Sequence, residues 1–598
     1  MNWSRLTALS KFLIVLLLTC VIGFLIYWFA PGIKVEESKQ LEGIEISDND
    51  VNNITDASEL GLPSDTRSKS VASNPLVRMA AYAWNAQSGI IVSNGGPFTT
   101  EGSVMESNGV NLEIIRQDWL SELRNLQLKF VEEYDNGNKF PKQGVFAIMM
   151  MGDGAPYYIS SVQQALNDKY GKDKYHVQVV GSVGLSYGED KLIGPPKWKM
   201  DSQSIKGALI STVIGDGDWV TTVNYAFANG IKVNPDPATY DPDAVNFYPS
   251  ANDDYIESAK ELIKSQKEGW TIPLKEIKNN KLTGNTINKK IDGCATWTPG
   301  DKMVFDALNG FTDVVSTKEF NNQMATTVIA VQEWSEKNPA IVSNILKSAF
   351  IASNQVKQYE SWKKRAAECV TKTYEMEDAD YWYAMFKGQK GEKSGISYNM
   401  GGSRVFNLAD AQQYYGKTDG VNRYKAVYDQ VSYYINELNP AGFKQNVKRV
   451  VPYNEAVNLK FLDAIKDIEA GTAYTTDYSK KAKTVLASGE WRINFSSGRA
   501  ALEPGAIDVL DQIFNLLIQA EDAKLELIGH TDNTGNRDSN FALSQARSEA
   551  IKTFMLKKGI PNSRFQKVEG KGQDEPVADN KTLAGRAKNR RVVVTLLK

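Results

Sequence analysis

The sequence predicts an α/β protein of several domains: a large α/β region, a smaller C-terminal α+β domain and one N-terminal transmembrane helix. Three observations carry that expectation. At 598 residues the chain is too long for one hydrophobic core, and about two to four domains follow from its length. Residues 12–30 form an uninterrupted apolar run. Strand-like and helix-like patterns then alternate over most of the chain, as a parallel or mixed sheet with crossover helices requires.

The apolar run comes first. "FLIVLLLTCVIGFLIYWFA" (12–30) holds nineteen uncharged positions, enough to cross a hydrocarbon layer of ~30 Å as a helix. Tyr27 and Trp28 stand at its far end, where an aromatic belt belongs. Arg5 and Lys11 precede it and favour a cytoplasmic position for residues 1–11. A cleaved signal peptide would need a shorter apolar stretch and a small-x-small cleavage site, which "YWFAPG" supplies poorly. A lipoprotein would use "LLTC", ending at Cys20, but Thr19 fits poorly before that cysteine and the run continues for ten residues beyond it. An uncleaved inner-membrane anchor is the reading adopted, with the rest of the chain in the periplasm. The span carries no Asp, Glu, Lys or Arg, so ion translocation by this helix is not expected.

Residues 31–74 are acidic, rich in Ser and Asn and free of aromatics. Such a segment buries too little apolar surface to offset its ordering entropy, and is expected to be a flexible periplasmic tether. A coil of that length spans roughly 35–40 Å.

From 75 to about 480 the strand candidates are 76–84, 111–117, 144–152, 176–184, 207–215, 244–250 and 291–299, with helical periods at 119–134, 157–168, 218–229 and 252–266. Two strands run into Gly-Asp-Gly turns, "MGDGAPYY" and "IGDGDWVTT". Neither has the Gly-Lys-Ser/Thr ending of a phosphate-cradling loop, so a nucleotide site is not expected. Ligands of open α/β sheets collect at the carboxyl ends of strands, where these loops lie.

This order of elements over roughly 76–370 resembles the type II periplasmic solute-binding proteins of ABC transporters, in particular the nitrate, sulfonate and taurine branch. "MAAYAW" looks like the family's first strand, leading to a ligand-contacting loop at Trp84 and Asn85. "GVFAIMMMGDGAPYYIS" resembles the third strand and its cleft loop, and "IKGALISTVIGDGDWVTTVNYAFANG" the entry into a second lobe. "KKIDGCATWTPGDKMV" resembles an apolar strand ending in Trp-x-Pro, here Trp297 and Pro299, and "VIAVQEWSEKNPAIVSNILKSAFIA" the segment returning to the first lobe. The resemblance implies two lobes, joined by crossover strands, that close on a small solute. Trp84, Asn85, Asp153, Asp216, Asp218 and Trp297 are then the solute-binding candidates. Taken singly, the tryptophans read as well as core residues and the aspartates as helix caps. Three aspartates suit a cationic or neutral solute better than a free anion, unlike the nitrate or sulfonate of the branch. The aromatic, charged stretch 374–416 reads as the rest of the returning lobe with additions.

Composition excludes several classes. Lys plus Arg total 69 against 71 Asp plus Glu, which gives no electrostatic reason for a nucleic-acid partner. Three cysteines and two histidines make no cluster of zinc-ligand spacing, so no metal or other cofactor is expected. Neither His176 nor His530 lies in a nucleophile-elbow context, which disfavours a hydrolase. Cys294 and Cys369 both fall on the export side, where a disulfide is permitted; their separation leaves pairing open.

The polar stretch 470–488 marks a boundary, and 488–598 reads as a compact domain. "WRINFSSGRAAL" suggests a strand and turn, "PGAIDVLDQIFNLLIQA" a helix, "AKLELIGHT" a strand, "FALSQARSEAIKTFMLKKG" a helix closed by Gly559, and "RFQKVEGKG" and "NRRVVVTLLK" two further strands. This β-α-β-α-β-β order carries "GHTD" (529–532), "LSQAR" (543–547), "GKG" (570–572), Pro576, Asn580 and "GRAKNRRV" (585–592). These residues closely resemble the OmpA-like peptidoglycan-binding family. The resemblance implies that Asp532, on a loop past a strand, and Arg547, on the first turns of the next helix, receive the free end of meso-diaminopimelate in a peptidoglycan stem. A carboxylate takes the ammonium by charge-assisted hydrogen bonds, and a planar guanidinium holds the carboxylate with two parallel ones. His530 is then a bystander, and Asn589, Arg590 and Arg591 either touch glycan or brace the fold.

Together these readings describe a binding protein rather than an enzyme, anchored by one helix, capturing a small solute and clamped to peptidoglycan. The alternative is a structural or motor-associated cell-wall anchor, similar to MotB-type stators. In that case the solute-binding-like domain is a protein-interaction module within a membrane-protein complex.

Overall fold

The computed structural model describes residues 42–43 and 60–598, apart from 492, 494, 496 and 497. The expected membrane helix at 12–30 lies outside the described residues, as does most of the expected tether. Among the described residues no helix is long and apolar enough to cross a membrane.

The end of the expected tether departs from that expectation, because residues 60–74 lie against the α/β region. Val71 is buried, the Ser68 amide donates to Thr99 O at 2.9 Å, and Asp65 pairs with Arg365 and Lys372. The polar average of 31–74 hides this cluster, in which one apolar side chain and one acid find partners on the folded surface.

The first lobe begins with β1 (Leu76–Ala81), β2 (Asn111–Arg116), β3 (Ala147–Met151) and β4 (Val177–Ser186). Residues 187–190 cross to a second lobe of β5 (Lys191–Gly194), β6 (Leu209–Thr212), β7 (Lys232–Asn234), β8 (Ala244–Pro249), β9 (Gly293–Thr296) and β10 (Thr312–Ser316). Residues 317–324 bring the chain back to β11 (Ala325–Val331) and β12 (Ser403–Val405) of the first lobe. The first sheet runs β12-β4-β11-β3-β1-β2, with β1, β2 and β3 parallel and β11 antiparallel to both its neighbours. The second runs β10-β5-β9-β6-β8-β7, with β5 antiparallel to β9 and β10 and the rest parallel. Every strand expected in this region is present, trimmed at its ends except for β4, which runs on past 184 to Ser186. β3 and β11 are buried at every position, as strands covered by helices on both faces must be, which explains why they read as continuous apolar runs.

The four expected helices form at Leu120–Asp135, Ala155–Tyr170, α1 (Gly217–Ala228) and Tyr255–Glu268. Asp216 caps α1, its Oδ1 accepting the Gly217 amide at 2.9 Å. Within 374–416 a hairpin, Gln389–Lys393 with Ile396–Met400, leans on the second lobe, where the Asn399 amide donates to Asp313 Oδ1 at 2.8 Å. That stretch therefore serves both lobes and not the first alone. Further on, α2 (Arg423–Leu438) follows. Cys294 and Cys369 are both buried and free, so the open disulfide is not formed.

The C-terminal domain comprises β13 (Val485–Trp491), α3 (Pro504–Gln519), β14 (Lys524–Gly529), α4 (Arg537–Lys557), β15 (Phe565–Gly570) and β16 (Val592–Leu597), with sheet order β13-β16-β14-β15. Three details differ from expectation. β13 ends where the first strand was expected to begin, because its partners on β16 lie opposite Val485–Trp491. α4 starts at Arg537, where the Asn536 side chain accepts the Ser539 amide at 2.7 Å; Arg547 is therefore in its third turn and not its first. A short helix, Leu583–Asn589, intervenes before β16.

This domain does not stand apart from the two lobes. α3 packs on α2, and the turn after α3 meets the returning crossover: the Asn322 amide donates to Gln519 O at 2.9 Å, and the Glu521 amide to Asn321 Oδ1 at 2.8 Å. Arg423 holds Glu521 at 2.9 Å, and Lys598 Nζ donates to Lys318 O. The Tyr187 hydroxyl on the outgoing crossover donates to Asp522 Oδ2 at 3.4 Å.

Candidate functional site

Two sites emerge, one between the lobes and one in the C-terminal domain. In the first, the loops after β1 and β3 meet those after β6 and β9. The Tyr82 hydroxyl donates to Asp216 Oδ2 at 3.2 Å, and Trp84 Nε1 donates to Asp190 Oδ2 at 3.0 Å. Both bonds link the first lobe to the second lobe or its crossover, so the lobes are closed on each other. Gly154 permits this approach: a Cβ there would lie 1.7 Å from Asp216 Oδ1. Trp297 packs against Tyr255, with ring centroids 4.3 Å apart, and against Tyr82 at 5.5 Å. All six sequence candidates, Trp84, Asn85, Asp153, Asp216, Asp218 and Trp297, are buried at 1% exposure or less, which accommodates both the core and the cleft reading of each.

The structure brings five of them together. Asn85 diverges: its side chain donates to Ser403 Oγ at 2.9 Å inside the first lobe, and only its backbone amide faces the cluster, donating to Glu189 Oε1 at 3.0 Å. Asp153 Oδ2 accepts from Gln323 Nε2 at 2.7 Å. Glu189, Asp190, Lys191, Tyr82, Tyr255, Asp301 and Gln323 belong to the same cluster and were not singled out in the sequence. Glu189 and Asp190 lie on the outgoing crossover, and only the topology places a crossover at the mouth of a cleft.

The electrostatics are one-sided. Lys191 is fully buried and its Nζ pairs with Asp301. Against that pair stand Asp153, Glu189, Asp190, Asp216 and Asp218, all buried. Burial drives Asp153, Asp218 and Glu189 well above the usual carboxylate range, with neighbouring carboxylates adding to it. Burial also pushes Asp190 up to about 7, and Asp216 to about 6 despite hydrogen bonds from Gly217 and Tyr82.

The second site surrounds a cavity of about 460 Å³ lined by Arg547, Arg590, Arg591, Lys588, Glu503 and Phe495. The Arg547 guanidinium lies over the Phe495 ring, 5.0 Å from its centroid, and its Nε donates to Arg499 O at 3.3 Å. Burial lowers its pKa from the ordinary value, and Arg590 lowers it further. Asp532 is not on the cavity wall. Its Oδ1 accepts the Thr534 amide at 2.9 Å and its Oδ2 holds Arg590 Nη1 at 2.6 Å. Burial raises its pKa, but the Arg590 and Thr534 hydrogen bonds outweigh that and leave it below the usual range. Arg590 thus occupies the Asp532 carboxylate and spans from it to the cavity.

The "NRR" run divides its labour. Asn589 braces the fold, accepting the Val577 and Ala578 amides at 2.9 Å each, and Arg591 is buried beside the strand. Both arginines line the cavity, and Arg590 is the one that also reaches Asp532. His530 has its pKa pushed down to about 4, by burial and then by Arg591, so it is neutral near neutral pH.

With this geometry in view, the C-terminal domain is an OmpA domain: residues 494–590 match the OmpA family. An outer-membrane lipoprotein of Pseudomonas aeruginosa, YfiB, is 37% identical over 103 residues, 17% of this chain and 61% of its own length. The peptidoglycan-binding protein ArfA of Mycobacterium tuberculosis is 34% identical over 104 residues, 17% of this chain and 32% of its own. The chain thus spans about three fifths or less of these relatives. The central region is similar in fold to the periplasmic nitrate-binding protein NrtA of Synechocystis, at 10% identity and a TM-score of 0.42 over 66% of this chain and 98% of that one.

Proposed function

We propose that this chain is a cell-envelope protein that holds peptidoglycan through its C-terminal domain and captures a small solute between its two lobes. In this reading residues 12–30 anchor it in the inner membrane, the segment that follows links the anchor to the lobed domain (75–480), and that domain and the OmpA-like domain (488–598) lie in the periplasm. It is a binding protein and not an enzyme. The observation that carries the wall-binding half is a basic cavity lined by Arg547 and Arg590, with Arg590 reaching from it to Asp532. Arg547 and its basic neighbours would take the stem carboxylate, and Asp532 the ammonium once Arg590 moves aside. The name of ArfA, a peptidoglycan-binding protein, supports the same assignment.

The test is retention of the purified periplasmic portion on sacculi containing diaminopimelate. Asp532→Ala and Arg547→Ala should each lose at least tenfold in affinity while keeping the wild-type circular dichroism. Equal retention of both variants would sink the assignment.

A further inference from the structure

The acidic cluster between the lobes has a feature that capping and packing do not explain. Asp218 is fully buried, and neither of its carboxylate oxygens has a hydrogen-bond partner; Asp153 Oδ1, Asp190 Oδ1 and Glu189 Oε2 are likewise unpartnered. Carboxylate oxygens in the interior without partners are strongly disfavoured unless a cation or donor compensates them. The Lys191 ammonium is already committed to Asp301. Beside the carboxylates, Tyr82, Tyr255 and Trp297 form three mutually contacting rings, and the Trp297 Nε1 is buried without an acceptor. Carboxylates next to aromatic faces match an organic ammonium, which takes charge-assisted hydrogen bonds on one side and cation–π contact on the other. Among the described residues no three Asp, Glu, His or Cys side chains are grouped as metal ligands.

We infer that the site between the lobes binds an organic ammonium compound, with Asp218 as its principal counter-ion and Trp297, Tyr82 and Tyr255 as the aromatic wall. This rests on the solute-capture reading and narrows it to one charge class. Calorimetry and tryptophan fluorescence on the whole periplasmic portion at pH 8, with choline, ethanolamine and putrescine against nitrate and ethanesulfonate, separate the possibilities. At least one amine should bind, and Asp218→Asn should weaken it tenfold or more with the melting curve retained. Binding of an anion in place of the amines would overturn the charge class and leave solute capture standing. No binding from either set would overturn both, and amine binding indifferent to Asp218→Asn would remove the assigned counter-ion.

A second inference rests on the docking of the C-terminal domain. Its contacts fall on both crossovers: Tyr187 on the outgoing one, and Lys318, Asn321 and Asn322 on the returning one. A buried chain of amides extends this inward, from Gln519 Oε1 to Asn224 Nδ2 at 2.8 Å, Asn224 Nδ2 to Gln323 Oε1 at 3.0 Å, and Gln323 to Asp153. Lobes that hinge on two crossovers open only by breaking those contacts while a third body is fastened to both, so the closed state is favoured and not locked. The geometry points to the OmpA-like domain as a clamp that holds the lobes closed. Arg423→Glu should release it and broaden interlobe distances between spin labels on exposed positions, and the exchanged pair Arg423→Glu with Glu521→Arg should narrow them again. An unchanged distribution in the single variant, or one the exchange fails to restore, would overturn the clamp.

Discussion

The two sites solve opposite electrostatic problems with different amounts of water. Between the lobes, five carboxylates are buried with one lysine that already has a partner, and every side chain there is at or near zero exposure. At the cavity of the C-terminal domain three arginines and a lysine gather around an open space, and Arg590 remains about half exposed. A buried carboxylate has its pKa raised until a partner compensates it, whereas a half-exposed pair is screened and easily exchanged. The first arrangement suits selective capture of one small cation. The second suits reversible grip on a polymer end, where Arg590 can trade Asp532 for solvent.

The comparison can be broken most sharply at the aromatic wall. Trp297→Ala removes a fully buried indole that touches both lobes, and should cost about 3–5 kcal/mol in denaturant unfolding. A loss under about 1 kcal/mol would mean that the closed packing is not maintained in solution.

The pH dependences should have opposite signs. Asp190 and Asp216 keep protons up to about 7 and about 6, above an unfolded aspartate, so the folded central domain binds more protons than the unfolded chain between roughly pH 4 and 7. Its stability should therefore fall as pH rises through that window, on the order of 1 kcal/mol per pH unit for each group. Asp153, Asp218 and Glu189 act in the same sense. Asp532 is lowered, so its contribution is present above the unfolded carboxylate range and is lost as pH falls through its folded value. Thermal melts from about pH 2 to 8, followed separately for the isolated OmpA-like domain and the full periplasmic portion, measure both slopes. Matching signs would contradict the contrast.

The smallest effect is expected at Arg590. Removing one partner of a half-exposed ion pair by Arg590→Ala should change stability by about 1 kcal/mol or less, while altering sacculus affinity through the freed Asp532. A large destabilisation would reassign Arg590 from ligand exchange to bracing.

Much of the architecture was legible because it rests on local patterns. The strands of both lobes are short apolar runs bounded by turn residues, and α1 announces itself with an Asp-Gly start. The spacing from Asp532 to Arg547 survives in the structure although the helix begins earlier than its apolar pattern suggests, because Asn536 and not an apolar residue starts it. Of the cleft candidates, the aspartates at strand ends were visible as residues, but whether a buried aspartate caps a helix or lines a site depends on what the other lobe brings. Asp216 does both, and Asn85 turned inward because Ser403, more than three hundred positions away, offered it a partner.

The sequence by itself determined the module order, the types of the chemical groups and the OmpA signature, since periodicity, caps and motif spacing act over a few residues. Only the tertiary structure decided that Glu189 and Asp190 join the cleft, that Arg590 covers Asp532, and that the C-terminal domain fastens both crossovers. Those facts depend on contacts between residues far apart in the chain, whose pairing is set by the closure of sheets and lobes and leaves no local trace.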